Sequence, residues 1–240
     1  MPVIRKFFLS AVFYFSLAVF SCMPASAANV NIITSDGLTD RDVTNAVRAT
    51  ELTGRYMFEN FQRRLLTDVM LELVPVDENT TASEPKSFSK NGRIVVSIKD
   101  STNDYRTIFL VAHELVHQYQ QDVATPDTLN KNLWFTEGMA DYLAMRIANQ
   151  TGSDKTEDFI RQAQRGYAYD VSLAQIAPRG GWTSASRSQS LYPLADLAVI
   201  HLSQQSSEQS FFAYLLALNT HTAEESLHIV YGIKMDEVIG

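Results

Sequence analysis

The stretch VAHELVHQYQQ, residues 111–121, reads in two ways. It is either the polar edge of an amphipathic helix or one half of a metal site. On an α-helix, residues four apart share a face, so His113 and His117 can present imidazole nitrogens to one ion. Glu114 is rotated about 100° from His113, within reach of a water beside that ion. Two histidines leave zinc under-coordinated, because a catalytic zinc takes three protein ligands and keeps one open position. The motif therefore predicts a third ligand from elsewhere in the chain.

NLWFTEGMADYLAMR, residues 132–146, offers it. Glu137 lies twenty positions after His117, on an apolar-periodic segment carrying Leu133, Met139, Ala140, Leu143 and Ile147. Asp141, one turn further on, can accept the remaining N–H of a ligand histidine and fix its tautomer. A plain polar edge leaves unexplained why two histidines and three acids (Glu114, Glu137, Asp141) fall at these offsets.

The flanking chain supplies the frame. Asn29–Thr34 alternates polar and apolar residues and predicts a strand. Asp40 to about Leu66 predicts a long helix with Val43, Val47, Leu52, Tyr56 and Phe61 on its apolar face. A second strand is predicted over Asp68–Val76, a surface loop over Asp77–Gly92, and a β-branched strand over Arg93–Lys99. From Asp104 onward the pattern is helical, with helices near 104–121, 131–149, 155–168, 190–204, 208–218 and 222–230. Pro178–Ser190 interrupts them with a glycine pair and many serines, as a lid or an unstructured loop would. The fold class is α+β: a small sheet with a long helix, then the HELVH helix, then a mainly helical half.

The N-terminus has a different composition. Arg5 and Lys6 precede an almost wholly apolar run, Phe7–Met23, which Pro24 and Ala25-Ser26-Ala27 follow. This is the layout of a secretory signal cut after Ala27, with an uncleaved membrane anchor as the alternative and lipoprotein processing at Cys22 ranked lower. Removal of residues 1–27 leaves 213 residues and no cysteine, so the exported chain relies on its core and not on disulfides. We read residues 28–240 as one domain, with an α/β lobe over 28–121 and a helical lobe over 122–240. Loss of Arg5 and Lys6 takes the net charge from −7 to −9, and no basic tract of five or more residues remains, which argues against a nucleic-acid partner.

The HExxH of residues 113–117, followed after nineteen residues by Glu137 in WFTEGMADYL, resembles the gluzincins, the thermolysin-like and aminopeptidase-N-like zinc metallopeptidases. The Trp-x-x-Glu-Gly-x-Ala core is similar to the aminopeptidase-N-like branch and to small bacterial peptidases related to it. The Glu-to-Asp spacing of four is similar to that of thermolysin. The resemblance implies a zincin-like fold and one zinc per chain. It implies His113, His117 and Glu137 as ligands, Glu114 as general base and Asp141 as support for a ligand histidine. It further implies a tyrosine that donates to the oxyanion from the segment QSLYPLADLAVIHL, residues 189–202. Tyr192 is the candidate there, with Tyr167 and Tyr169 in reserve.

One element departs from the aminopeptidases. The segment GRIVVSIKD, residues 92–100, lacks the Gly-x-Met-Glu-Asn-type piece that holds a substrate's free amine. The expectation is therefore a secreted or periplasmic zinc peptidase acting on peptide or protein substrates, endopeptidase in preference to aminopeptidase. Strand Arg93–Lys99 would hold the substrate if it forms the sheet edge at the cleft. The alternatives are a non-catalytic, zinc-stabilised protein-binding module and a zinc hydrolase acting on a non-peptide bond. No membrane span is expected once the signal is removed, and the oligomeric state stays open.

Overall fold

The computed structural model describes residues 28–76, 87–98, 102–167, 172–173 and 191–238. The N-terminal segment 1–27 with Cys22, Tyr169 and the interrupting loop 178–190 lie outside the described residues.

Four strands form one mixed sheet. β1 (Val30–Thr34), β2 (Val69–Pro75), β3 (Phe88–Lys90) and β4 (Arg93–Ile98) lie in the order β1-β2-β4-β3. The β1–β2 and β2–β4 pairs are parallel, whereas β3–β4 is antiparallel. The alternation of Val69, Leu71 and Leu73 buries one face of β2. Ile94, Val95, Val96 and Ile98 bury β4 on both faces, as befits an inner strand.

Here the structure corrects two expectations. Residues 88–90 are a strand within the predicted surface loop, and β4 (Arg93–Ile98), the strand that would hold substrate if it formed the edge, is inner. Among the described residues the edge on that side is β3. Asn91 (φ 51°) and Gly92 (φ 77°) are both left-handed, as a two-residue hairpin turn requires. A Cβ at Gly92 would sit 2.8 Å from the Asp68 carbonyl oxygen, so glycine is required there twice over.

α1 (Asp40–Phe61) begins in a capping box between Thr39 and Asp42, and ends sooner than its pattern suggests, at left-handed Gln62. Its buried face is Ala46, Ala49, Leu52, Thr53, Tyr56 and Met57; Val47 points outward, 42% exposed. α2 (Asp104–Gln121) has the predicted bounds and is capped by Asn103, whose side chain accepts from the Arg106 N–H. Arg41 binds Asp104 through Nε (2.5 Å) and Nη2 (2.8 Å), and Asn45 adds a bond of 2.7 Å. These bonds tie the start of α2 to α1 and lower the Asp104 carboxyl to about 2, chiefly through Arg41.

The glutamines at the other end of α2 grip the hairpin. Gln118 Oε1 accepts from the Gly92 N–H at 3.0 Å, and Gln121 Oε1 from the Asn91 N–H at 3.1 Å. Gln121 Nε2 also donates to the Ser89 carbonyl at 3.2 Å. The edge strand is thus held against the helix that bears both histidines.

A short helix missed by the sequence reading, α3 (Pro126–Lys131), starts with Thr125 as cap and Pro126 in its first turn. It stops at Asn132, where α4 (Leu133–Asn149) begins, so the predicted 131–149 helix is shorter at its start. α5 (Thr156–Gly166), α6 (Leu191–Gln205), α7 (Ser210–Ala217) and α8 (Ala223–Tyr231) follow, then a 3-10 turn, Met235–Glu237. Trp134 and Phe135 are fully buried, with the Phe135 ring 4.5 Å from Tyr214, so they anchor the core. Truncating either to alanine should cost about 3–5 kcal/mol. Glu208 fastens the outer face by accepting from Tyr56 (2.5 Å) and Tyr142 (3.1 Å) and pairing with Arg146 (3.3 Å). Among the described residues, no helix is long and apolar enough to cross a membrane.

Candidate metal centre

α2 presents His113 and His117 on one face, with their Nε2 atoms 3.0 Å apart. Glu137, from the first half of α4, brings Oε2 to 3.6 Å from each. Tetrahedral zinc with bonds of about 2.0–2.2 Å keeps its ligand atoms roughly 3.3–3.6 Å apart, close to this triangle. Among the described residues this is the cluster of histidine and acid groups fit to hold a metal. All three side chains keep some exposure, between 12% and 18%, which leaves the triangle reachable.

Both Nδ1 atoms are already engaged. His113 Nδ1 lies 2.8 Å from Asp141 Oδ1, and His117 Nδ1 lies 2.8 Å from Gln120 Oε1. Carboxylate and amide oxygens only accept, so each Nδ1 carries a proton, and a ring that gives up its second proton turns an Nε2 lone pair toward the other. Two facing lone pairs at this distance repel unless a cation lies between them. The donor chemistry therefore fits a divalent metal of nitrogen and oxygen preference, such as zinc.

The electrostatics point the same way. Burial disfavours a charged His113, but the negative charges of Asp141, Glu137 and Glu114 outweigh it and raise its pKa to about 9. Burial would raise Glu137, but His117 and His113 outweigh that effect and hold it below its ordinary value. Glu114 is 5% exposed, and burial pushes its carboxyl up against the pull of the two histidines.

Three further features come from tertiary packing. A Cβ on Gly138 would stand 2.5 Å from the Ala195 carbonyl oxygen, so this glycine lets α4 and α6 touch backbone to backbone. Through that contact α6 brings Tyr192 and Asp196 to the centre. Tyr192 lines the cleft beside His113 and Glu114. Its hydroxyl stays protonated, because burial and the charges of Glu137, Asp141 and Glu114 all raise its pKa. Tyr167, held in reserve, ends up capping α5.

Asp196 was not anticipated. It is buried beside Asp141, and burial together with the Asp141 charge pushes its pKa well above the usual carboxylate range. The second unanticipated residue is Gln120, whose spacing from His117 is not distinctive in the sequence. His201, His221 and His228 stand outside the cluster.

The cleft runs to both sides of Glu114 and Tyr192. One lobe, of ≈ 770 Å³, is bounded by Ser87–Asn91 at the β3 edge and by α2, α3 and α4. The other, of ≈ 580 Å³, is bounded by Tyr105, Arg106, Phe109, Lys155 and Phe159.

An HExxH helix with a glutamate from a following helix is the arrangement that an HExxH…E zinc site of the gluzincin class needs. Residues 86–177 match the model of the peptidase family M1 domain, a stretch that runs from the β3 edge through α2 and α4 past α5. The match bears out the resemblance to the aminopeptidase-N-like gluzincins, and the His113–His117–Glu137 cluster fits their HExxH…E zinc site. It points to a zinc metallopeptidase. No curated protein matches the chain.

Proposed function

We propose that this chain is an exported zinc endopeptidase. The observation that carries the reading is a three-ligand triangle with Glu114 beside it, set in a cleft that continues in both directions. A cleft of that form suits a chain passing through. Capture of a free amine needs an acid at one end; among the described residues the β3 lobe offers only Lys90 as a charged residue outside the metal cluster, whereas the other lobe carries Asp158 beside Lys155 and Arg106. The export half of the proposal rests on the basic, apolar and Ala-Ser-Ala succession of residues 1–27, and residues 28–240 would form the single peptidase domain.

Zinc held by His113, His117 and Glu137 would supply Lewis acidity to a water and to the scissile carbonyl. Glu114 takes the attacking water's proton and passes it to the leaving nitrogen; its burial-raised pKa suits both duties. Tyr192 keeps its proton and donates to the developing oxyanion. Asp141 holds the His113 ring in register through Nδ1. β3, which pairs on one side only among the described residues, accepts an extended substrate by strand addition.

Digestion of a mixed peptide pool, with and without chelator, tests the reading. Internal cleavage that chelator abolishes and zinc restores is the expected result. Release of single N-terminal residues would replace the endopeptidase with an aminopeptidase. No cleavage of any peptide by zinc-loaded protein would leave the binding module or the non-peptide hydrolase.

A further inference from the structure

We infer that Gln120 is the positioning residue of the second metal-binding histidine, setting the His117 tautomer and locking that ring to the helix that supplies Glu137. The inference rests on the reading of His113, His117 and Glu137 as a zinc site.

Gln120 is fully buried although it carries two polar atoms that each need a partner. Both have one. Its Nε2 donates to the Thr136 carbonyl at 2.9 Å, and its Oε1 lies 2.8 Å from His117 Nδ1. The amide cannot be turned round, because Oε1 facing the Thr136 carbonyl would set two acceptors together. With Oε1 fixed toward the ring, His117 can bond only by donating from Nδ1. Its Nε2 is then the lone pair, aimed at the point it shares with His113 Nε2 and Glu137 Oε2.

The other end of the amide is equally specific. Thr136 immediately precedes Glu137, so one side chain connects the second ligand to the backbone beside the third. Helices α2 and α4 could slide past one another and still bury their apolar faces. The Gln120 bridge makes such a slide break the buried bond to the Thr136 carbonyl, the one of its two that crosses between the helices. That bond left unmade costs about 1–3 kcal/mol.

Two substitutions separate these roles. Gln120→Glu keeps an acceptor for His117 Nδ1 but loses the donor to Thr136. Gln120→Leu loses both. Zinc affinity is measured by competition with a chromophoric chelator, and folding stability by denaturant unfolding of the metal-free proteins. Ring N–H signals of histidine are followed by NMR in the zinc-loaded proteins. Gln120→Leu should bind zinc about 10–100-fold more weakly and lose the protected His117 Nδ1–H signal. Gln120→Glu should keep that signal and bind within about threefold of the native affinity, although its metal-free form is less stable.

Equal loss of affinity in both variants, or no loss in either, would overturn the inference. If Gln120→Leu does not fold, the native protein still decides: a zinc-loaded His117 with no proton on Nδ1 refutes it. Failure of the native chain to bind zinc would instead refute the underlying reading of the site.

Discussion

His113 and His117 stand one turn apart on the same helix, and each is held from behind by a different kind of group. His113 donates to a carboxylate, Asp141, which itself lies beside the buried carboxyl of Asp196. His117 donates to a neutral amide, whose other end stops at the Thr136 carbonyl. The first support is charged and extends through α4 to α6; the second is uncharged and stays between α2 and α4. The difference limits how much negative charge the centre must hold. Glu114 already feels the charges of Glu137 and Asp141, and Asp196 is driven toward its neutral form by burial and by the charges of Asp141 and Glu137. An acid in place of Gln120 would add another like charge to that group. The neutral amide orients the ring without it.

Experiments can break or sharpen this contrast. The largest effect should come from Glu114→Gln, which leaves both supports intact. Peptide cleavage should fall about 10²–10⁴-fold while elemental analysis still finds one zinc per chain. Full activity in that variant would remove Glu114 as the base. Tyr192→Phe strikes the α6 side alone and should lower kcat about 10²–10³-fold with little change in KM, read from steady-state kinetics on one peptide. A change confined to KM would make Tyr192 a substrate contact only.

Asp141→Asn addresses the charged support directly. Zinc affinity should drop about 10–100-fold in a chelator competition. A smaller loss than that of Gln120→Leu would invert the contrast and make the neutral support the stronger one. The smallest effect belongs to Asp196→Asn. The raised pKa of Asp196 means that the folded protein keeps a proton the unfolded chain releases above its ordinary value of about 4. Stability should therefore fall as pH rises from about 4 toward the raised value, and the asparagine variant should lack that component. Denaturant unfolding across this range, native against variant, measures it; identical pH profiles would mean that Asp196 does not hold the proton.

The parts of the site that obey local periodicity were legible before any fold was known. His113, Glu114 and His117 declare themselves by helical spacing, and α2 has the bounds its pattern predicts. Asp141 follows Glu137 by one turn, so the geometry of its bond to His113 was implicit in that spacing. What depends on one element meeting another was not legible. Asp196 reaches the centre because Gly138 has no Cβ to hold α6 away, and nothing in the spacing of either helix announces that crossing. Gln120 resembles its neighbours Gln118 and Gln121, which bind the hairpin, while Gln120 turns inward. The β3 strand is three residues, Phe-Ser-Lys, too short for a periodic signal. Asn91-Gly92 marked the start of the next strand correctly, but as a hairpin turn it also implied a partner before it. On α1, Val47 misled because the buried face beside it is made by Ala46 and Ala49, which carry little hydrophobic signal.

The brevity of β3 has a consequence for selectivity. At about 3.3 Å per residue, three residues make an edge roughly 10 Å long. Backbone pairing along it registers only a few residues of a bound chain, whatever their identity. Under the proposed strand addition, an enzyme built this way would read short words. Discrimination among proteins would then fall to which of them expose an extended segment able to lie along that edge, more than to a long sequence of preferred side chains.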